Sequence, residues 1–160
     1  IMELKDGVVE LELYSDIAPN HVERFKDLAK KGLYDGVVFH RVIEGFMAQT
    51  GDVKFGNSNS KDFNLSLAGT GGSDMPDLKS EFSDIPHDRG VLSAARSADP
   101  NSANSQFFIC FQPAPFLDRQ YTVFGKVIEG MEFVDKIKRG DQNNNGAVTD
   151  PDKIISFKSQ

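Results

Sequence analysis

The chain has 160 residues, a length that fits one domain, taken here as residues 1–160, and is awkward for two. Its 18 basic and 24 acidic residues leave a net charge of −6, which argues against a general nucleic-acid or anionic-membrane surface. One cysteine excludes an internal disulfide framework, and the longest apolar run, Phe107–Phe111, falls far short of the ~20 residues a spanning helix needs. No signal peptide is visible, but the first residue is Ile1 and not Met. The expected compartment is the cytoplasm, or the periplasm if a leader was removed.

From Val9 to Leu13 apolar and charged residues alternate, which predicts a half-buried strand. Pro19 follows, suited to a first helical turn, and Val22, Phe25, Leu28 and Ala29 recur at helical spacing until Gly32. Short strands are predicted at Val37–Ile43, Phe46–Thr50, Val91–Ala95, Phe107–Phe111, Tyr121–Val127 and Lys153–Lys158. A second helix is predicted near Met131–Arg139, with Met131, Val134 and Ile137 on one face between Gly130 and Gly140. Many short strands with two helices favour a barrel or a sandwich. The stretch Val53–Asp84 is rich in Gly, Ser, Asn and Asp, and a loop that long inside a domain is usually functional or mobile. Phe107–Phe111 shows no alternation, so both of its faces need cover, from a helix or from a ligand groove.

Most routes to chemistry are closed by the residues. Cys110 lies in an apolar strand and reads as core. His21, His40 and His87 lack a second ligand at metal spacing. Gly69-Thr70-Gly71-Gly72 lacks the Lys and Ser/Thr of a phosphate loop and reads as a flexible turn. Asp141-Gln142-Asn143-Asn144-Asn145-Gly146 matches the first half of a calcium-binding loop, but Asp152 replaces the bidentate Glu and a strand pattern follows. It reads as a solvated turn. In Phe39–Ile43 and Phe46–Asp52, one Arg and one Gln sit among apolar residues; alone, Arg41 reads as a surface arginine on an outward strand face.

Three long segments change that reading. Phe39–Asp52 (FHRVIEGFMAQTGD), Asn104–Ile109 (NSQFFI) and Phe116–Met131 (FLDRQYTVFGKVIEGM) together resemble the cyclophilins, the cyclosporin-binding class of peptidyl-prolyl isomerases, and in particular their bacterial branch. The resemblance covers nearly the whole chain. It implies a mainly β fold: a closed eight-stranded antiparallel β-barrel capped by two α-helices, with the substrate on the outer wall. It implies an enzyme that accelerates rotation about X–Pro bonds and assists folding, with no cofactor and no metal. The rival reading is a proline-peptide binding or chaperone module with little turnover.

Carried across by motif, Arg41 matches the catalytic arginine and His40 its neighbour. Phe46, Met47, Gln49, Gln106, Phe108 and Leu117 match groove positions, and Gly69 and Ala95 match backbone-contact positions. Arg96–Asp99 is one residue longer than in well-known eukaryotic members, leaving the peptide contact open between Ser97 and Ala98. Phe116 stands where many members have Trp, and Tyr121 where many have His. Phe has no indole N–H to donate, so weak cyclosporin binding is expected. Strict alternation would part Phe46 from Met47, and a twist or bulge is expected to reunite them. The expected partners are proline-containing peptides and unfolded or folding proteins, with no nucleic acid and no membrane, bound by a monomer. Val53–Leu78 looks like an insertion beside the site.

Overall fold

Alternation along the strands sorts side chains into an inner and an outer set. The computed structural model describes residues 1–159. Its strands are β1 (Met2–Leu4), β2 (Gly7–Leu13), β3 (Arg41–Ile43), β4 (Met47–Thr50), β5 (Val91–Ala94), β6 (Phe107–Cys110), β7 (Val123–Glu129) and β8 (Ser156–Phe157). They form one antiparallel eight-stranded sheet in the order β3-β4-β6-β5-β7-β2-β1-β8. The sheet curls until the segments leading into its end strands meet. Ile154 N donates to Val37 O at 2.8 Å, Phe39 N donates to Asp152 O at 2.8 Å, and Val38 bridges Lys153. The expected barrel is therefore joined by a short seam of bridges in place of a continuous ladder.

The interior is filled by side chains, among them Phe25, Tyr34, Phe39, Leu92, Phe107, Ile109 and Phe124, all within 1% of full burial. Phe25 stacks on Phe124 with centroids 4.3 Å apart and meets Phe107 edge-on at 5.6 Å. Each such ring contributes about 1.5–3 kcal/mol relative to an exposed one. Of the 13 Phe in the chain, six lie in this buried core: Phe25, Phe39, Phe107, Phe111, Phe124 and Phe157.

Helix α1 (Pro19–Lys30) buries Val22, Phe25, Leu28 and Ala29, the face its spacing predicts. It has no N-terminal cap of its own. The Glu81 carboxylate accepts from Asn20 N at 3.2 Å and His21 N at 2.9 Å instead, where orphan donors and the positive end of the helix favour it. Helix α2 is shorter than its pattern predicts, Met131–Val134 and not Met131–Arg139. After Val134 the turn tightens, with Lys136 N bonding Phe133 O and Ile137 N bonding Val134 O. Asp152 then takes Lys138 N, and Val42 O takes Gly140 N, drawing the chain away from the helix.

Two strand predictions shrink for a related reason. Within Val37–Ile43 only Arg41–Ile43 is continuous strand, and within Lys153–Lys158 only Ser156–Phe157, because Val37–Phe39 and Lys153–Ile154 are drawn into the seam. Strand β1 was not predicted: three residues are too few to show a period, and its pairing with β2 and β8 is what defines it. The Val53–Asp84 stretch holds no helix or continuous strand, only isolated bridges at Asn57 and Leu78. Among the described residues, no helix is long and apolar enough to cross a membrane.

Candidate active site

Strands β3, β4, β6 and β5 place one row of side chains across the wall, in the register Arg41, Gln49, Phe108, Ser93. Period two sends Val42, Ala48, Phe107 and Ile109 to the barrel core. It sends Met47, Phe108 and Cys110 the other way, into a second apolar cluster with Ala114 and Leu117. Both faces of the Phe107–Phe111 stretch are therefore covered, as its lack of alternation requires. The outer cover comes from Ala114 and a single 3₁₀ turn, Pro115–Leu117, beside an open cavity.

That cavity measures about 130 Å³ and is lined by Arg41, Phe46, Met47, Gln49, Ala95, Arg96, Phe108, Leu117 and Tyr121. Phe46 and Met47 share it, but not through a bulge. Phe46 lies in the three-residue hairpin loop after Ile43, where its N donates to Ile43 O at 3.0 Å, so strand alternation does not govern it. A second cavity of about 350 Å³ adjoins the first, sharing Gln49, Ala95 and Arg96 and adding Gly69, Gly71, Ser97, Asn104 and Gln106. Of the two residues left open in Arg96–Asp99, Ser97 lines this cavity and Ala98 lies outside both. Phe116 sits at the rim, 68% exposed, its ring 5.5 Å from that of Phe46. Tyr121 meets Phe108 edge-on at 5.8 Å, and the Arg96 guanidinium lies 4.4 Å above the Tyr121 ring.

A hydrogen-bond relay fixes the polar groups. Asp52 is fully buried, and its carboxylate accepts from the backbone N–H groups of Lys54, Phe55, Gly69 and Gly71 at 2.8–3.1 Å. The Gly69–Gly72 stretch, read as a flexible turn, is thereby tied down. Gly69 has φ of +102°, and a Cβ there would sit 3.1 Å from His40 Nε2, so the close approach also favours glycine. The carbonyls of Gly69 and Gly71 each accept from Gln106 Nε2 at 2.9 Å. With its amide nitrogen so committed, Gln106 turns Oε1 to accept from Gln49 Nε2 at 3.0 Å. Gln49 Oε1 in turn accepts from Arg41 Nη1 at 3.2 Å. Arg41 is not a free surface residue: Nε donates to Asn145 O at 3.0 Å and Nη2 to Asn145 Oδ1 at 3.1 Å. Partial burial lowers the Arg41 pKa, with the neighbouring Tyr121 phenol opposing, yet an arginine stays charged in proteins.

His40 lies behind this relay and lines neither cavity. Burial is the main cause that lowers its pKa to about 4, against the attraction of Asp52, so its ring is neutral near pH 7. His87 is buried under Phe108; its Nδ1 lies 3.0 Å from Asp118 Oδ1 and its Nε2 2.9 Å from Ser93 Oγ. Burial lowers its pKa too, with the Asp118 carboxylate opposing, and Ser93 Oγ donates onward to Thr122 O at 3.1 Å. This Ser–His–Asp string is sealed beneath the apolar cluster, with Ser93 fully buried. It braces the site and offers substrate no nucleophile. Cys110 is also fully buried, and burial pushes its thiol up to about 12, so it is inert packing as its sequence setting implies.

The sequence did not single out Asn145, Arg96, His87, Ser93 or Asp118 as members of this site. The D-x-N-x-N-G run carried the only signal for Asn145. Its Asp141 accepts from Asn143 N at 2.9 Å, while Asp152 accepts from Lys138 N, so the first and twelfth positions serve the backbone. The turn is exposed, as predicted, but it also grips Arg41.

An antiparallel barrel with a guanidinium, two amides and a small apolar cavity on its outer wall belongs to the class of barrels whose candidate site lies outside a filled interior. Comparison with known proteins sharpens that class. The family described as cyclophilin-type peptidyl-prolyl cis-trans isomerase matches residues 1–159. A probable peptidyl-prolyl cis-trans isomerase of Brucella suis is 61% identical over 155 residues, 97% of this chain and 79% of the relative. The isomerase cyp15 of Rhizopus delemar is 38% identical across 98% of this chain, which spans 24% of that longer protein. Among solved structures, a Cryptosporidium parvum cyclophilin determined in the presence of the dipeptide Ala-Pro matches with a TM-score of 0.81 at 27% identity, covering 99% of this chain and 98% of that one. Cyclophilin AquaCyp293 of Hirschia baltica matches with a TM-score of 0.79 at 29% identity, covering 98% of this chain and 71% of that one. The chain belongs to the cyclophilin-type peptidyl-prolyl cis-trans isomerases.

Proposed function

We propose that the outer-wall groove carries the isomerase activity, with Arg41 as its catalytic group and the smaller cavity as the proline pocket. An X–Pro bond resists rotation because its C–N bond has partial double-bond character. In the twisted transition state that resonance is lost, and the proline nitrogen becomes pyramidal and regains a lone pair. A fixed guanidinium donor aimed there stabilises the twisted state more than the planar one.

The observation that carries the reading is the arrangement of Arg41. Three of its five N–H groups are held by Gln49 and Asn145, so two remain for a substrate at the edge of the apolar cavity. Phe46, Met47, Phe108 and Leu117 would enclose the ring, and Gln49 and Gln106 hold the rim. No covalent intermediate or proton transfer is needed in this scheme. Substrates are proline-containing segments of unfolded or folding proteins.

Exchange NMR on a short X–Pro peptide tests it. The wild type should accelerate cis/trans exchange, and Arg41→Ala should lose about 10²-fold in kcat/KM while keeping its fold. Peptide binding by the wild type without faster exchange would sink the reading.

A further inference from the structure

We infer that Asn145, in the exposed turn after α2, is a positioning residue that aims the Arg41 guanidinium; the inference rests on Arg41 being the catalytic group. The long side chain of Arg41 would otherwise wander among rotamers, and a misaimed donor stabilises a transition state poorly. Gln49 restrains one end of the fork. Asn145 restrains the other with two acceptors, its backbone carbonyl and its side-chain oxygen.

The turn is shaped for this grip. Asn145 has φ 54° and ψ 30°, a left-handed conformation that asparagine tolerates better than most residues. Next to it, Gly146 also has positive φ, and a Cβ there would lie 2.6 Å from Ile43 Cγ1 and 3.3 Å from Arg41 Cγ. A side chain would push the turn off the strand. Backbone bonds then lock the turn to β3: Val42 N donates to Gly146 O at 2.9 Å and Gly140 N to Val42 O at 2.8 Å. Asp141 closes it from within, its carbonyl accepting from Gly146 N at 2.8 Å.

The chemistry of the acceptor also fits the task. A carboxylate would hold the fork as well but would offset the charge that the substrate must feel. A neutral amide and a carbonyl fix the direction of the guanidinium and leave its charge whole. None of the ion pairs among the described residues involves Arg41.

The test is Asn145→Gly, which keeps the left-handed turn and the carbonyl but removes the side-chain acceptor. The expected result is a fall in kcat of about three- to tenfold, with KM within about twofold and an unchanged melting temperature. In the peptide-free protein, the heteronuclear NOE of Arg41 Nε should drop in Asn145→Gly and stay near wild type in Asn145→Asp, which retains an oxygen there. An unchanged kcat, an unchanged NOE in Asn145→Gly, or a drop of the same size in Asn145→Asp would overturn the inference. The NOE reads the grip without turnover, so a wild type that fails to isomerise would sink the functional reading and leave this measurement standing.

Discussion

His87 lies beneath Phe108 with ring centroids 6.2 Å apart and planes 17° apart. Phe108, which lines the apolar cavity, is therefore backed by a buried imidazole held by Asp118 on one side and Ser93 on the other. Replacing His87 by Ala removes the brace and both ring hydrogen bonds, while Asp118 keeps the backbone N–H at that position and Ser93 keeps Thr122 O. The expected loss is about 2–4 kcal/mol in urea unfolding, together with a shifted Phe108 ring resonance. His87→Phe keeps a ring in place but forfeits the hydrogen bonds, so it should recover the Phe108 signal and only part of the stability. Full stability in His87→Ala would refute the bracing role.

Acid should weaken the protein earlier than carboxylate titration alone would. His21, His40 and His87 all have pKa values lowered from 6.5, chiefly by burial, and His40 falls to about 4. Between the folded and unfolded values, the unfolded chain binds protons that the folded chain refuses. Stability then rises with pH, is complete above about 6.5 and is lost as pH falls through about 4. Unfolding free energies measured at pH 7, 5.5 and 4.5 should decline in that order, and His40→Gln should flatten part of the slope. A flat profile from pH 7 to 5 would contradict this.

The loop beside the groove should depend on one carboxylate. Asp52 satisfies four backbone donors that span Lys54 to Gly71. Asp52→Asn points an NH₂ at donors and should cost about 2–4 kcal/mol. Because the Gly69 and Gly71 carbonyls set Gln106, KM for peptide should also rise. A variant with wild-type stability and KM would refute the anchoring role.

Cyclosporin should bind weakly. Phe116 is exposed at the rim and has no N–H to offer. Calorimetry should give a Kd above about 1 μM for the wild type, and Phe116→Trp should tighten it by about tenfold, near 1.4 kcal/mol. A submicromolar wild-type Kd would overturn the expectation.

The sequence by itself determined more than the elements. Alternation in Val9–Leu13 and the spacing of Val22, Phe25 and Leu28 marked β2 and α1, because each pattern is set by local geometry. The unbroken apolar run at Phe107–Phe111 announced a wall covered on both sides, and motif resemblance named most of the groove, Arg41 included. What only the tertiary structure decided lies at long separation in the chain. Asn145 meets Arg41 across 104 residues, Glu81 caps α1 from 60 residues away, and Asp118 meets His87 across 31. Such bonds leave no period in a sequence, because polar side chains and backbone groups carry no local pattern that names a distant partner. The composition, with 13 Phe and no Trp, follows the same division. Its abundance was legible at once, but only the fold divides it between the barrel interior, the groove at Phe46 and Phe108, and the exposed rim at Phe116.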